Sequence, residues 1–498
     1  MKQRYYLGID QGTTGTRAVL FNRYWEVAAT GYCKINLSYP HNGWVEHDGE
    51  AVWNSVLSAT ADAMKEAAVT PEEIASIGID HEGETVLIWD RSTGKPLAPS
   101  IVWQDRRTAH YIEQISDTYN ELIWSRTGLR ADSYFSASKY HWLLNNVPEA
   151  KPALAAGNLL GGTMGTWILW KMTGGRHHVT DLSTASRTLL LDAITETWSP
   201  ELLNAFEIPE AILPAIQDST LTGIHADPEH FLGISAPIGG LLVDQQSALL
   251  GQACTEIGDV KTTYGTGCFM LMNTGDQMVQ SENGLLTTIG WRAGGRTTCA
   301  LDGGIYITGA ATSWITDELQ LVKTPAETEA MALSVADTNG VYFVPAFSGL
   351  AAPHWDSYAR GTIVGITGGT RKAHLVRATL ESTAYQVYDV LKAMRKDSGI
   401  DIPVMRCNGK ATDNRFLMQF QSDILGIPLE IPANRETTAL GCAFLGAIGR
   451  GEYSSISEIE QIWHCAARYE PKMEEDHRMQ LLYDWHRAIE RSKYWNED

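Results

Sequence analysis

Two short stretches of this chain carry residue types that handle phosphate. The first is Asp10-Gln11-Gly12-Thr13-Thr14-Gly15-Thr16-Arg17. Residues 5–9 before it are apolar and predict a strand, and residues 18–21 after it predict the antiparallel partner. Glycine in the turn lets the backbone approach an anion, and consecutive N–H groups and threonine hydroxyls then point at it. Asp10 ends the first strand. A carboxylate there can hold a hydrated Mg2+, an ion that keeps several waters and takes one or two protein carboxylates. The turn is not a P-loop, because no Gly-Lys-Ser/Thr follows and the next element is a strand. The second stretch, residues 260–270, contains Thr262-Thr263-Tyr264-Gly265-Thr266-Gly267 and repeats the order strand, Gly/Thr turn, strand. Gly409 stands at the end of a further strand near Met405, and residues 409–414 would face a nucleoside. Together these describe an ATP site between two lobes, each lobe donating one phosphate loop.

The elements that must position these turns alternate along the chain. Residues 51–68 carry apolar side chains at helical spacing, and residues 74–79 predict a strand. This is an α/β pattern. His81-Glu82-Gly83-Glu84 follows that strand, and residues 85–89 predict another. Helical segments dominate residues 107–144, with Ser136 as a helix cap, and residues 161–172 predict a helix rich in small residues. Asp244-Gln245-Gln246 follows an apolar run and opens a helix. Residues 374–394 form one apolar stripe, and residues 414–425 a further helix. Residues 437–446 hold Ala439, Gly441, Ala443 and Gly446, so this helix must approach another backbone closely. The tail, residues 474–495, predicts a solvated surface helix.

At 498 residues the chain has room for two domains, and we place the boundary near 250, giving 1–250 and 251–498. A net charge of −20 argues against nucleic acid or an anionic membrane as partner, but not against ATP, whose charge is met locally. Seven dispersed cysteines without a CxxC pair fit reduced thiols in a cytoplasmic enzyme. The N-terminal residues do not read as a signal peptide, and no apolar run is long enough to span a membrane. The histidines, His177-His178 included, show no metal-ligand spacing.

The chain resembles the FGGY carbohydrate kinases, and within them the glycerol kinases, nearly from end to end. Residues 134–142 (YFSASKYHW) are similar to the family's first signature, and residues 361–366 (GTIVGI) with 374–381 (HLVRATLE) to its second. Residues 264–275 and 416–426 look specifically glycerol-kinase-like. The resemblance implies the two-domain actin/hexokinase/Hsp70-like (ribonuclease H-like) fold, with ATP and Mg2+ in the cleft. It implies that Asp244 is the catalytic base, and that Glu84, Trp103, Tyr134, Asp244, Gln245 and Phe269 form the acceptor pocket. Thr13, Thr14 and Arg17 would meet phosphates from one lobe, and Gly265, Thr266 and Gly267 from the other. Gly309, Gly409, Lys410 and Asn414 would line the nucleotide side. A homodimer or homotetramer follows by the same analogy.

The sequence departs from that family at two points. Glycerol kinases carry Asn-Gln-Arg-Glu where this chain has His81-Glu82-Gly83-Glu84, and that arginine binds glycerol hydroxyls. Gly83 removes five donors and a positive charge, and we expect it to leave a hole that accepts a longer polyol or ketose. His81 or Glu82 would then contact the extra hydroxyls. Lys410 stands where the family has glycine, beside the purine. His230-Phe231-Leu232-Gly233 resembles the His-Phe-Tyr-Gly loop of certain bacterial members, in which the phosphotransferase system phosphorylates the histidine; we expect a surface histidine here. A non-enzymatic ATP-binding module would share the two turns but need no acceptor pocket.

Overall fold

The computed structural model describes residues 4–496. Two sheets carry the site. The first has the strand order Ile238–Val243, Ile74–His81, Tyr5–Gly12, Gly15–Phe21, Val27–Lys34. Tyr5–Gly12 and Gly15–Phe21 form the expected antiparallel hairpin, which sets Asp10 opposite Arg17. On its other side Tyr5–Gly12 runs parallel to Ile74–His81, with Asp10 opposite Asp80. All eight residues of Ile74–His81 are buried, as an inner parallel strand covered on both faces requires.

The second sheet runs Leu286–Ala293, Arg296–Ile305, Cys268–Gly275, Val260–Tyr264, Met405–Gly409, Leu429–Pro432, Cys465–Tyr469. Val260–Tyr264 pairs antiparallel with Cys268–Gly275 and parallel with Met405–Gly409. A central strand with a hairpin partner on one side and a parallel neighbour on the other therefore occurs once in each half, as the repeat in the sequence implied.

Apolar periodicity determines what covers the sheets. The helix Gly49–Ala67 buries Val52, Trp53, Val56 and Ala63 against Leu7, Ile9, Ile77 and Ile79. Lys372–Ser398 buries Val387, Val390, Leu391 and Met394 against Val260, Met270 and Met405 of the second sheet. The small-residue helix Thr437–Gly449 lies on the other face of the first sheet, although it belongs to the second half of the chain. A Cβ on Gly78 would sit 1.9 Å from the Cys442 carbonyl oxygen, and one on Gly441 would sit 2.0 Å from that of Ser247. Only glycine permits these approaches. This helix also packs on Asp244–Gly251, so the halves meet along two helices.

Three expectations are corrected. Residues 161–172 are not all helix: Leu159–Thr163 is a strand paired with Val86–Asp90, and the helix is Met164–Met172. The small residues serve packing there, since a Cβ on Gly162 would lie 2.9 Å from the Trp89 ring. Ser136 is not a cap; Phe135 precedes the helix and the Ser136 hydroxyl donates to the Glu84 carbonyl. The C-terminal helix Glu475–Ser492 is not merely a solvated face, because Leu482, Trp485, Ala488 and Ile489 are buried in a core with Tyr385 and Phe420.

Candidate active site

The first turn is held from below. The Thr13 hydroxyl donates to Glu82 Oε2 at 2.8 Å and accepts from Trp103 Nε1 at 2.9 Å. Glu82 is buried and faces His47, whose Nε2 lies 3.3 Å from its Oε1. Burial would raise Glu82, but His47 and Thr13 outweigh it and hold the carboxyl below its ordinary range. Thr14 is exposed at the tip of the turn. Arg17 Nη1 reaches both oxygens of Glu436, at 2.9 and 2.7 Å, and so joins the hairpin to the second half, while its side chain stays 42% exposed.

Trp103, Tyr134, Glu84, Asp244 and Gln245, of the expected acceptor residues, lie near one another. The rings of Trp103 and Tyr134 meet edge to face, 5.5 Å between centres. Glu84 lies beneath them, buried, with Oε1 accepting from Arg187 Nε at 2.7 Å. The Tyr134 hydroxyl feels the charges of Glu84, Arg187, Asp302 and Asp244 together. Asp244 opens its helix directly after the strand Ile238–Val243. Gln245 joins it to the second half: its Nε2 donates to Asp244 Oδ2 at 3.2 Å, while its Oε1 accepts from Lys261 Nζ at 2.6 Å. Phe269 is half-buried and pairs across the second hairpin with Thr263.

On the other side Gly265, Thr266 and Gly267 form the second turn. The Thr266 carbonyl accepts from the N–H groups of Thr308 and Ala310, which draws in the helix that starts at Gly309. A Cβ on Gly309 would lie 2.3 Å from the Gly265 carbonyl oxygen, and one on Gly409 would lie 2.1 Å from that of Tyr264. Gly409, with φ of 98°, is in a conformation that side chains resist. Gly309 and Gly409 therefore both lie against residues 264–265, at the entry to the second turn. Asn414 is committed to the fold: its Oδ1 caps the helix Arg415–Leu425 through the Leu417 N–H, and its Nδ2 donates to Thr328. Lys410 is exposed and starts a 3-10 turn rather than packing inward.

Carboxylates crowd the seam. Asp10 and Asp80 are opposite each other on parallel strands and project to the same face. Both Asp80 oxygens are buried without a hydrogen-bond partner, and burial, then Asp10 and Asp244, raises its pKa well above the usual range. Burial lifts Asp10 to about 6 against the pull of Arg17. Burial and the charge of Glu84 lift Asp244 to about 7, while Lys261, itself lowered by burial to about 8, opposes the rise. Such a cluster, with orphaned oxygens behind a half-exposed Asp10, fits a divalent cation, which relieves like-charge repulsion. Asp10 would hold it. Among the described residues no group of three His, Cys, Asp or Glu side chains forms a closed metal cage.

The expected hole at Gly83 is absent. A Cβ there would lie 2.8 Å from Val243 Cγ1 and 3.6 Å from Arg187 Cγ, so neighbouring side chains already fill the space. His81 and Glu82 do not reach an acceptor either. Both are buried, His81 between the Glu82 carbonyl and the Thr184 hydroxyl, Glu82 between His47 and Thr13. Arg187, Asp302, Lys261 and Asp80 were missed. Arg187 and Asp302 are charged side chains inside otherwise apolar or small-residue runs, which was the available signal, and Asp80 lies near the end of an apolar strand. His230 is half-exposed, 3.5 Å from Asp227. All seven cysteines are free thiols, and among the described residues no helix is long and apolar enough to cross a membrane.

Comparison with known proteins agrees with this geometry. Residues 5–251 match the N-terminal domain of the FGGY family of carbohydrate kinases, and residues 260–450 match its C-terminal domain. A glycerol kinase of Geobacillus sp. (strain WCH70) is 47% identical over 98% of both chains. One from Carboxydothermus hydrogenoformans is 47% identical over 99% of both. The fold superposes on a Plasmodium falciparum glycerol kinase solved with ADP, with a TM-score of 0.93, 35% identity and 98% of each chain covered. A gluconate kinase from Lactobacillus acidophilus, 22% identical over 98% of this chain and 97% of that one, shares the fold with a TM-score of 0.87. With both family domains matched in order, the two-domain actin-like fold and relatives of this closeness, the chain belongs to the FGGY family of carbohydrate kinases, phosphotransferases with an alcohol group as acceptor.

Proposed function

We propose that the chain transfers the γ-phosphoryl group of ATP to a primary hydroxyl of a small polyol. The observation that carries this reading is Asp244, which opens its helix at the seam near enough for Glu84 and the Tyr134 hydroxyl to interact with it electrostatically, with Trp103 packed edge to face on Tyr134. Phosphoryl transfer asks the protein for position, charge neutralisation and a carboxylate to take the hydroxyl proton. Asp244 takes that proton. Gln245 holds Asp244 in place and is itself held by Lys261 of the second half. The turns Gly12–Gly15 and Gly265–Gly267 offer backbone N–H groups to the phosphates. Mg2+, bound with the nucleotide near Asp10, would neutralise phosphate charge. Trp103 and Tyr134 cover the acceptor carbons, and closing of the halves excludes water as a competing acceptor.

An acceptor of four or five carbons, a polyol or a ketose, rests on the loss of the arginine's donors at position 83 alone, since Val243 and Arg187 fill the space beside Gly83. A second reading, glycerol itself, is supported by the Arg187 side chain, whose Cγ lies beside Gly83, and by the glycerol kinases among the relatives. A coupled ADP-release assay over glycerol, erythritol, threitol, xylitol, ribitol and ketopentoses decides. The highest kcat/KM on glycerol discards the longer acceptor, and ADP release that no polyol or sugar stimulates discards the kinase reading.

A further inference from the structure

We propose that Arg187 and Asp302 form a hydroxyl-reading pair in the acceptor pocket, and that this pair, rather than position 83, supplies the cationic contact to the acceptor. The inference rests on the polyol-kinase reading above. Arg187 follows the short helix Leu182–Ala185 in the first half, and Asp302 lies on the strand Arg296–Ile305 in the second. Their side chains are only 4% and 9% exposed. Arg187 Nε is committed to Glu84. Its Nη1 lies 3.1 Å from Asp302 Oδ2, yet makes no aligned hydrogen bond, and Asp302 Oδ1 has no partner either. The guanidinium carbon stands 5.8 Å from the centre of the Tyr134 ring and 5.4 Å from that of Phe135, so the pair borders the aromatic wall.

An unspent donor beside an unspent acceptor, both buried, leaves two groups desolvated without return. A hydroxyl group answers both: its oxygen accepts from Nη1 and its hydrogen goes to Oδ1. A carboxylate or phosphate in the same place would meet Asp302 and Glu84 as like charges, so the ligand class is a neutral alcohol. Because the pair spans the halves, the hydroxyl it reads touches both lobes at once. Gly83 contributes no side chain, and the guanidinium comes from Arg187 beside it.

Asp302→Asn, nearly isosteric, and Arg187→Lys test this in the full-length chain. Acceptor binding is measured by calorimetry without nucleotide, and KM is measured for acceptor and ATP separately. Both variants should weaken acceptor Kd and raise acceptor KM tenfold or more, with KM for ATP within twofold of wild type. Deoxy analogues of the best acceptor separate reading from scaffolding: on the analogue that lacks the hydroxyl read by the pair, wild type and variants should bind alike. Acceptor Kd and KM within threefold of wild type, or an equal penalty on every analogue, overturns the proposal. Should Arg187→Lys not fold, Asp302→Asn decides alone. A wild-type chain that phosphorylates no polyol fails the underlying reading and this pair with it. An active wild type with unaffected variants fails the pair only.

Discussion

The indole N–H of Trp103 and the hydroxyl of Thr13 are 2.9 Å apart, and the same hydroxyl donates onward to Glu82 at 2.8 Å. The acceptor wall and the phosphate turn are therefore fixed by one side-chain oxygen. Thr13→Val keeps the shape and removes both bonds. Leaving a buried donor or acceptor unpaired costs about 1–3 kcal/mol. We expect a stability loss of about 2 kcal/mol by urea unfolding and a rise in KM for both ATP and acceptor. Thr13→Ser should restore most of both. A variant in which only the ATP term moves would separate the turn from the wall.

Asp244 should dominate the pH profile. Burial and Glu84 raise it to about 7, so below that pH it is protonated and cannot accept the hydroxyl proton. Acceptor kcat/KM should climb with unit slope up to about pH 7 and then level off. Asp244→Asn should lower turnover by roughly 10²-fold or more and abolish that limb. Near-normal turnover in this variant would refute the role.

Gly83→Arg tests the acceptor reading from the opposite side. The Cβ of any side chain there meets Val243 Cγ1 at 2.8 Å, so Val243 must shift. Overpacking of this kind costs about 1–3 kcal/mol, and melting should show it. If position 83 sets acceptor length, kcat/KM for glycerol should rise relative to four- and five-carbon polyols. An unchanged ratio points to the groups around Arg187 instead.

The two hairpins were legible because each sets a Gly/Thr turn between two short strand-like runs, and both signals are local. Asp244 was legible through family likeness, since an aspartate opening a helix is otherwise an ordinary capping pattern. What sequence did not reveal is pairing over distance. The ion pair of Arg17 with Glu436 joins residues 419 positions apart. Gly83 was read as a deletion because nothing near it in sequence indicates that Val243 and Arg187 fill the space. The C-terminal helix was taken for a solvated face because charged residues are dense along it, yet Trp485 at its centre is fully buried.

That helix is anchored by Asp389, and the anchor has a pH signature. Trp485 Nε1 donates to Asp389 Oδ2 at 2.8 Å, His486 Nε2 lies 2.7 Å from Oδ1, and His354 Nε2 lies 3.2 Å from Oδ2. Burial alone would raise this carboxyl, but the two histidines outweigh it and hold it at about 2, against an ordinary value of 3.8. A depressed carboxylate contributes stability that is complete above its unfolded pKa and is lost as pH falls through the folded one. The difference corresponds to about 2 kcal/mol. Unfolding free energy should therefore drop by about that amount between pH 4 and pH 2 through this group. Asp389→Asn should lose about 2–3 kcal/mol at neutral pH, since bonds to a charged acceptor are replaced by weaker ones. It should also speed amide hydrogen exchange in the helix Glu475–Ser492 ahead of the core strand Val260–Tyr264. Across the acid window the variant should lose less stability than wild type by the same amount. An equal acid loss in both would mean that the carboxylate is not what holds the helix in place.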